Sequence, residues 1–431
     1  MTVGLGKPDR VQKDMVSEMT LFETETSPAA AAWLPTRQAA LDRLDAFLPA
    51  AGRTYAARRN YDLGPDDRSN VSALSPFVRH RLILEQEIVA ATLERHRFSA
   101  AEKFVQEVFW RTYFKGWLEQ RPQVWTRYRE DCARLFDRLD RDGALERRYA
   151  EAVEGRTGID CFDAWAGELV DTGYLHNHTR MWFASIWIFT LDLPWQLGAD
   201  FFYRHLLDGD PASNTLSWRW VGGLHTRGKT YLARALNIAR YTNGRFNPEG
   251  QLAPTAPPLA EAEVGGIRAL PPGGGLSADA PFGLLVTEED CFPETLALAG
   301  VPRAVVGLTA TDDRSTRPVG EPARAFAAGA VGDALDRVAA RFAVETQQED
   351  GADWDVFLVD WARRHGLQTV ATAYPPVGPV AERLATAEAA LDAAGIRLAR
   401  IRRPYDSHAW PHATKGFFGL KAKIPQILAA L

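Results

Sequence analysis

Apolar residues recur at three- and four-residue spacing through 41–47, 82–93 and 101–118, the pattern of helices that bury one stripe. Residues 37–245 read as almost entirely helical, with breaks at 62–70, Arg121-Pro122, 154–159 and 209–213, where Gly, Pro, Asp and Asn gather. Asn70 or Ser72 is expected to cap the turn that follows it, and Ser99 the helix running through Trp117. Between 247 and 281 the pattern is lost to prolines and glycines, which reads as a linker lying over the surface. Beyond it, β-prone runs at 283–286, 304–308, 356–359, 369–373 and 396–401 alternate with helical stretches, notably 321–342 and 380–394. That alternation predicts an α/β layer with a mostly parallel sheet. The expected organisation is an N-terminal arm (1–30), an all-α domain (31–248), a linker (249–280) and a smaller, Rossmann-like α/β domain (281–431).

A chain of 431 residues suits two cores, and 46% hydrophobic with 24% charged residues is ordinary globular composition. There is no apolar run of membrane-spanning length, and residues 1–26 are too polar for a secretory signal, so a cytoplasmic protein is expected. Cys132, Cys161 and Cys291 are scattered without metal-ligand spacing, which argues against a zinc or iron–sulfur site and fits a reducing compartment. The net charge of −5 leaves no global nucleic-acid footprint. Arginine clusters at Arg53/Arg58/Arg59 and Arg79/His80/Arg81 read either as a local basic face or as solvated helix surface, while acidic residues are commoner near the N-terminus and in the C-terminal half.

The densest chemistry lies in Asp208-Gly-Asp-Pro-Ala-Ser-Asn-Thr-Leu-Ser-Trp-Arg-Trp220, preceded by Gly173-Tyr-Leu-His-Asn-His-Thr-Arg-Met181. Upstream, in order, come Arg53-Thr-Tyr-Ala-Ala-Arg-Arg-Asn60, Asn70-Val-Ser-Ala-Leu-Ser-Pro76, Gln106-Glu-Val-Phe-Trp-Arg-Thr-Tyr113 and Thr157-Gly-Ile-Asp160. This ordered set, over roughly residues 37–248, resembles the flavin-binding half of the photolyase/cryptochrome family. The family's α/β domain precedes its flavin domain; here an α/β region follows it, and Ala413-Thr-Lys-Gly-Phe-Phe-Gly-Leu-Lys421 resembles the close of that domain. A rearranged domain order, as in circular permutation, would account for this.

The resemblance implies flavin adenine dinucleotide (FAD) as cofactor, with Tyr55, Ser72, Leu74, Ser75 and Arg111 toward its phosphates. Hydroxyls, helix-start N–H groups and a guanidinium all favour anions there. Asp208 and Asp210 would approach the flavin ring and sugar hydroxyls, Arg180 would pair with Asp208, and Asn214 would face flavin N5. Taken alone, Asp-Gly-Asp reads as a turn and Arg180 as a surface ion pair. Val71 and Ala73 depart from the family's polar residues in the phosphate loop. The implied lesion pocket comprises Glu107, Trp110, Asn177, Met181 and Trp220, with Glu107 and Asn177 also beside the cofactor. Glu107 also suits a plain solvated helix face. His178 replaces the family's arginine and makes a smaller phosphate contact. Trp218 and Trp195 match the inner electron-relay positions; the outer one falls on Asp142, which cannot serve, so Trp165, Trp187 or Tyr149 would substitute.

These resemblances imply a light-driven DNA photolyase that splits cyclobutane pyrimidine dimers flipped out beside reduced FAD, with damaged DNA as partner. The competing readings are a cryptochrome-type photoreceptor acting on a signalling protein and a regulatory protein with a mainly structural flavin domain. Asn214 is the photolyase-like choice. An antenna chromophore, of unidentified kind, would fit between the domains.

Overall fold

The computed structural model describes residues 33–263, 265–276 and 281–429; the arm expected over 1–30 lies outside them. Helices run from Arg37–Phe47 to Ala235–Tyr241, and all the strands follow Phe282. The spine of the helical half is Phe98–Glu119, which buries Ala101, Phe104, Val105, Phe109, Thr112, Tyr113 and Gly116 at helical spacing. Its N-cap is Arg97, so Ser99 sits within the first turn and does not cap it. Asn70 is likewise not a cap, because its amide donates back to the carbonyls of Arg58 and Tyr61 at 2.9 and 2.7 Å. The apolar run starting at Leu82 becomes helical only at Glu85–Arg95, where the Glu87 carboxylate accepts from Leu84 N.

Among the described residues the sheet has five strands: β1 (Phe282–Thr287), β2 (Val305–Leu308), β3 (Thr346–Glu349), β4 (Thr369–Ala373) and β5 (Arg397–Ile401). Their order is β3-β2-β1-β4-β5, every pair parallel, with Leu284 opposite Val305 and Phe282 opposite Thr369. Glu321–Phe342 covers one face with Leu284, Val286 and Val305, whereas Trp354–Arg364 and Pro379–Ala393 cover the other with Leu285, Val306 and Val370. The strand expected at 356–359 is therefore a correction. It lies inside the Trp354–Arg364 helix, which buries Trp354, Leu358 and Trp361 and leaves Val356 60% exposed. The strand actually used, Thr-Gln-Gln-Glu, is a polar edge with no apolar alternation to reveal it.

One hydrophobic cluster spans the two halves. Phe77 meets Phe326 edge-on at 5.7 Å, and Leu44, Phe77 and Leu82 cluster with Leu284, Val286 and Val331. Residues 265–276 form no regular element, and the preceding segment is held down where Leu259 N donates to Gly222 O. The last helices, Pro404–Ala409, Phe417–Lys421 and Ile424–Ala429, return to the helical half and bury Tyr405, Phe417, Leu420 and Ile424 in its core.

Both expectations for Arg79/His80/Arg81 fail, since all three residues are buried between the halves. Arg79 makes a two-pronged bond to Glu289 at 2.8 and 2.6 Å and donates to Gly209 O at 2.7 Å. Arg81 reaches both oxygens of Asp406 at 2.8 Å, and His80 lies between the carbonyls of Glu288 and Leu207. The acidic run at the end of β1 thus consumes the basic cluster. A buried guanidinium persists only when so paired.

A second interface contact is pH-sensitive. Glu119 accepts from Tyr374 Oη at 2.7 Å and from Val377 N at 2.5 Å, and burial pushes its carboxyl up to about 7. A raised folded value contributes stability that is complete below the unfolded pKa and lost as pH rises through the folded one. Glu119 should therefore weaken the fold between about pH 4.3 and 7, by on the order of 3 kcal/mol. Glu119→Gln should flatten that part of the unfolding free energy against pH; an unchanged slope in the variant would refute the assignment.

Candidate functional site

The helix Trp195–His205 ends at the turn carrying Asp208 and Asp210, and Pro211 then opens the helix Pro211–Val221. Asp210 caps this helix, accepting from Ser213 N at 2.7 Å, and proline at the first position suits a site with no intrahelical acceptor to serve. Gly209 is required here: a Cβ would come within 2.8 Å of the Arg314 guanidinium and 3.0 Å of two backbone carbonyls. Local chemistry thus projects Asp208 and Asp210 from one turn and sets Asn214, Trp218 and Trp220 along the helix that follows.

Asp208 is buried and meets Arg180 Nη2 at 3.0 Å, while Arg180 Nε is anchored on Leu175 O at 2.9 Å. Asp210 is buried beside Lys115 Nζ at 3.6 Å and Arg111 Nη1 at 3.9 Å, two cations one turn apart on the spine helix. Burial pushes both carboxyls upward. Arg180 and Arg111 outweigh it at Asp208, with a further bond from Ser75, and Lys115, Arg111 and Arg79 outweigh it at Asp210. Both are therefore held below the ordinary carboxylate range, as anions.

Among the described residues, buried polar atoms without a hydrogen-bond partner include Arg111 Nη1, Asp208 Oδ1 and Ser213 Oγ, with Thr215 Oγ1 and Trp218 Nε1 further along the same helix. A guanidinium nitrogen, a carboxylate oxygen and a hydroxyl buried without hydrogen bonds are costly even beside their ion-pair partners unless a ligand completes them. They fit a molecule bearing both phosphates and hydroxyls, as FAD does. Asn214 Nδ2 donates to Ala199 O at 2.8 Å, which fixes the amide and leaves its oxygen without a protein donor among the described residues. Ser72 Oγ accepts from Leu74 N at 3.4 Å, and Leu74 and Ser75 open the helix Ser75–Arg79. Tyr55 packs edge-on against Phe47 and Phe104, with Arg59 at its hydroxyl.

The implied lesion-pocket residues are less uniform. Glu107 is ion-paired with Arg59, and burial raises its carboxyl despite that cation. Trp110 is 36% exposed, yet one face is covered by Phe417, stacked at 4.0 Å and 12°. Asn177 is exposed and Met181 half-buried at the start of the helix Asn177–Ser185. Trp220 stacks on Tyr231 at 5.8 Å. The His178 ring stacks on Trp182 at 4.4 Å and bonds Asn60 O, and burial lowers its pKa. Residues 222–248 carry Arg227, Lys229, Arg234, Arg240 and Arg245 and no carboxylate. Arg234, Leu236, Asn237 and Arg240 line a surface depression of about 430 Å³, with Leu236 prominent at its edge.

Lys115 and Phe417 were not among the residues expected. Lys115 was legible in principle, four residues after Arg111 on the same helical face. Phe417 was not, because its position depends on the C-terminal helices folding back.

The family pattern of the FAD binding domain of DNA photolyase matches residues 104–254. A deoxyribodipyrimidine photo-lyase of Thermus thermophilus is 36% identical over 225 residues, covering 50% of this chain and 49% of the relative. That of Agrobacterium fabrum is 32% identical over 194 residues, covering 44% and 39%. A solved bacterial class III photolyase from Agrobacterium tumefaciens aligns with a TM-score of 0.41 at 27% identity, over 51% of this chain and 46% of its own. The chain thus spans about half the length of the curated relatives it matches.

Proposed function

We propose, from the match of residues 104–254 to the FAD binding domain of DNA photolyase, that this protein uses FAD to split cyclobutane pyrimidine dimers in DNA under blue light. The observation that carries the proposal is the set of buried atoms without a hydrogen bond, Arg111 Nη1, Asp208 Oδ1 and Ser213 Oγ, on and beside the Asp208–Ser213 segment. Bound FAD supplies the light-driven electron, which the chain's own side chains cannot. Arg111 and Ser75 hold the phosphate end, Asp208 and Asp210 accept from hydroxyls, and the anchored Asn214 amide offers its oxygen to the flavin ring. Glu107 and Asn177 bond the edges of a flipped dimer, while Trp110, Met181 and Trp220 form its apolar walls. The basic stretch 222–248 tracks the DNA backbone.

With a net charge of −5 the chain neutralises few phosphates, so single-stranded or distorted substrates are favoured and binding falls only shallowly with salt. Trp110→Ala removes a stacking wall worth about 1–3 kcal/mol per base and should cut dimer binding accordingly. Glu107→Ala should cut repair by removing an acceptor. The test is repair of dimer-containing DNA by the reduced, FAD-loaded protein under blue light. Failure of both binding and repair would favour a cryptochrome-type photoreceptor with a protein partner, a reading to which the covered face of Trp110 and the low His178 pKa lend weight.

A further inference from the structure

Trp218 is the expected proximal electron donor, and its aromatic surroundings lead somewhere other than Trp195. Its indole meets Trp187 edge-on at 6.2 Å, and Trp187 meets Tyr149 edge-on at 6.1 Å. Among the described residues Trp218 makes no ring contact with Trp195. That ring stacks instead on Tyr128 at 5.7 Å, which adjoins Trp125. Tyr128 and Trp125 are each 2% exposed, so this branch ends inside the protein. Arg219 also lies over Trp195 at 5.9 Å, and a guanidinium there opposes positive charge on the ring. Tyr149 is half-buried, and its branch reaches the surface.

Glycine makes the Trp218–Trp187 contact possible. A Cβ on Gly198 would come within 2.3 Å of Trp218 and 2.9 Å of Trp187, so this helical position must be bare for both indoles to close over it. The Trp187 indole N–H donates to Pro194 O at 2.9 Å, an acceptor that favours positive charge on the ring. Tyr149 Oη accepts from Arg204 Nη2 at 3.1 Å, which leaves the phenolic hydrogen free to depart.

We propose that photoreduction of oxidised flavin in this protein runs through Trp218, Trp187 and Tyr149, with Trp195 outside the route. The proposal rests on the flavin reading above. One electron passes from Trp218 to the excited flavin, a second from Trp187 to Trp218 and a third from Tyr149 to Trp187. Tyr149 then loses its phenolic proton to water, leaving a neutral tyrosyl radical. A thiol in solution returns one electron and one proton to it, and the thiyl radicals pair as a disulfide.

The test uses the full chain loaded with oxidised FAD, illuminated with blue light in dithiothreitol. Flavin content, the rate of bleaching and the low-temperature electron paramagnetic resonance spectrum are measured. Trp187→Phe should slow bleaching by about tenfold or more, and Tyr149→Phe should abolish the tyrosyl signal. Trp195→Phe should leave both readouts at parental values, and flavin content should be equal throughout. Slow bleaching in Trp195→Phe with a parental rate in Trp187→Phe would overturn the route while leaving the flavin reading intact. A chain that binds no flavin would overturn both.

Discussion

Asp208→Ala is expected to leave the protein nearly free of flavin after desalting, whereas the parent should carry one FAD per chain once reconstituted. Asp208 is buried against Arg180, and removing one partner of a fully buried pair costs about 3–5 kcal/mol, a ceiling here because the stranded Arg180 is 23% exposed. The substitution also removes Oδ1, the unpartnered acceptor offered to the ligand. If most of that cost falls on the liganded state, affinity drops by roughly two to three orders of magnitude. Asp208→Asn keeps an acceptor but not the charge and should fall between. The ratio of flavin to protein absorbance, with the melting temperature of each apo form, separates lost binding from lost folding. Parental flavin content in Asp208→Ala would remove this carboxylate from the site.

The second large effect is on stability. Arg79→Leu should destabilise the whole chain by about 3–5 kcal/mol, because it strands Glu289 at a site where its remaining cation, Lys115, is 3.9 Å away. The double variant Arg79→Leu/Glu289→Leu should recover much of the loss, since apolar residues of similar volume tolerate burial better than a lone charge. Equilibrium denaturation of the four members of the cycle measures the coupling. A coupling near zero would mean that the pair does not join the halves. Arg79 also holds Gly209 O, and Lys115 is shared between Glu289 and Asp210. Single variants at this interface should therefore also lower flavin content, which ties the C-terminal half to the site.

The helical half and its site were largely legible because their signals are local. Three- and four-residue periodicity marks the stripe of Phe98–Glu119, and one turn and the helix it opens carry Asp208, Asp210, Asn214, Trp218 and Trp220 at spacings that backbone geometry alone projects. The buried strands β1, β2 and β4 announced themselves as short runs of apolar and β-branched residues, as strands of a doubly covered parallel sheet do, whereas the edge strand β5 carries two arginines. The run at 356–359 misled because four apolar residues suit a strand as well as a helix, and only the spacing of Trp354, Leu358 and Trp361 against the sheet decides between them.

By itself the sequence determined the two kinds of layer, their order along the chain and the cluster of acids, amide and indoles after residue 207. Tertiary structure alone decided what each charge and ring faces. Arg79 and Arg81 look like surface arginines until Glu289 and Asp406, 210 and 325 residues away, take them out of water. Trp110 looks like an open wall until Phe417 folds onto it, and Trp218 selects Trp187 over Trp195 because Gly198 lets the rings meet. Periodicity and capping act between residues a few positions apart and are written in the order of the chain. The partners of a buried charge or a stacked ring come from distant segments, and only packing brings them together.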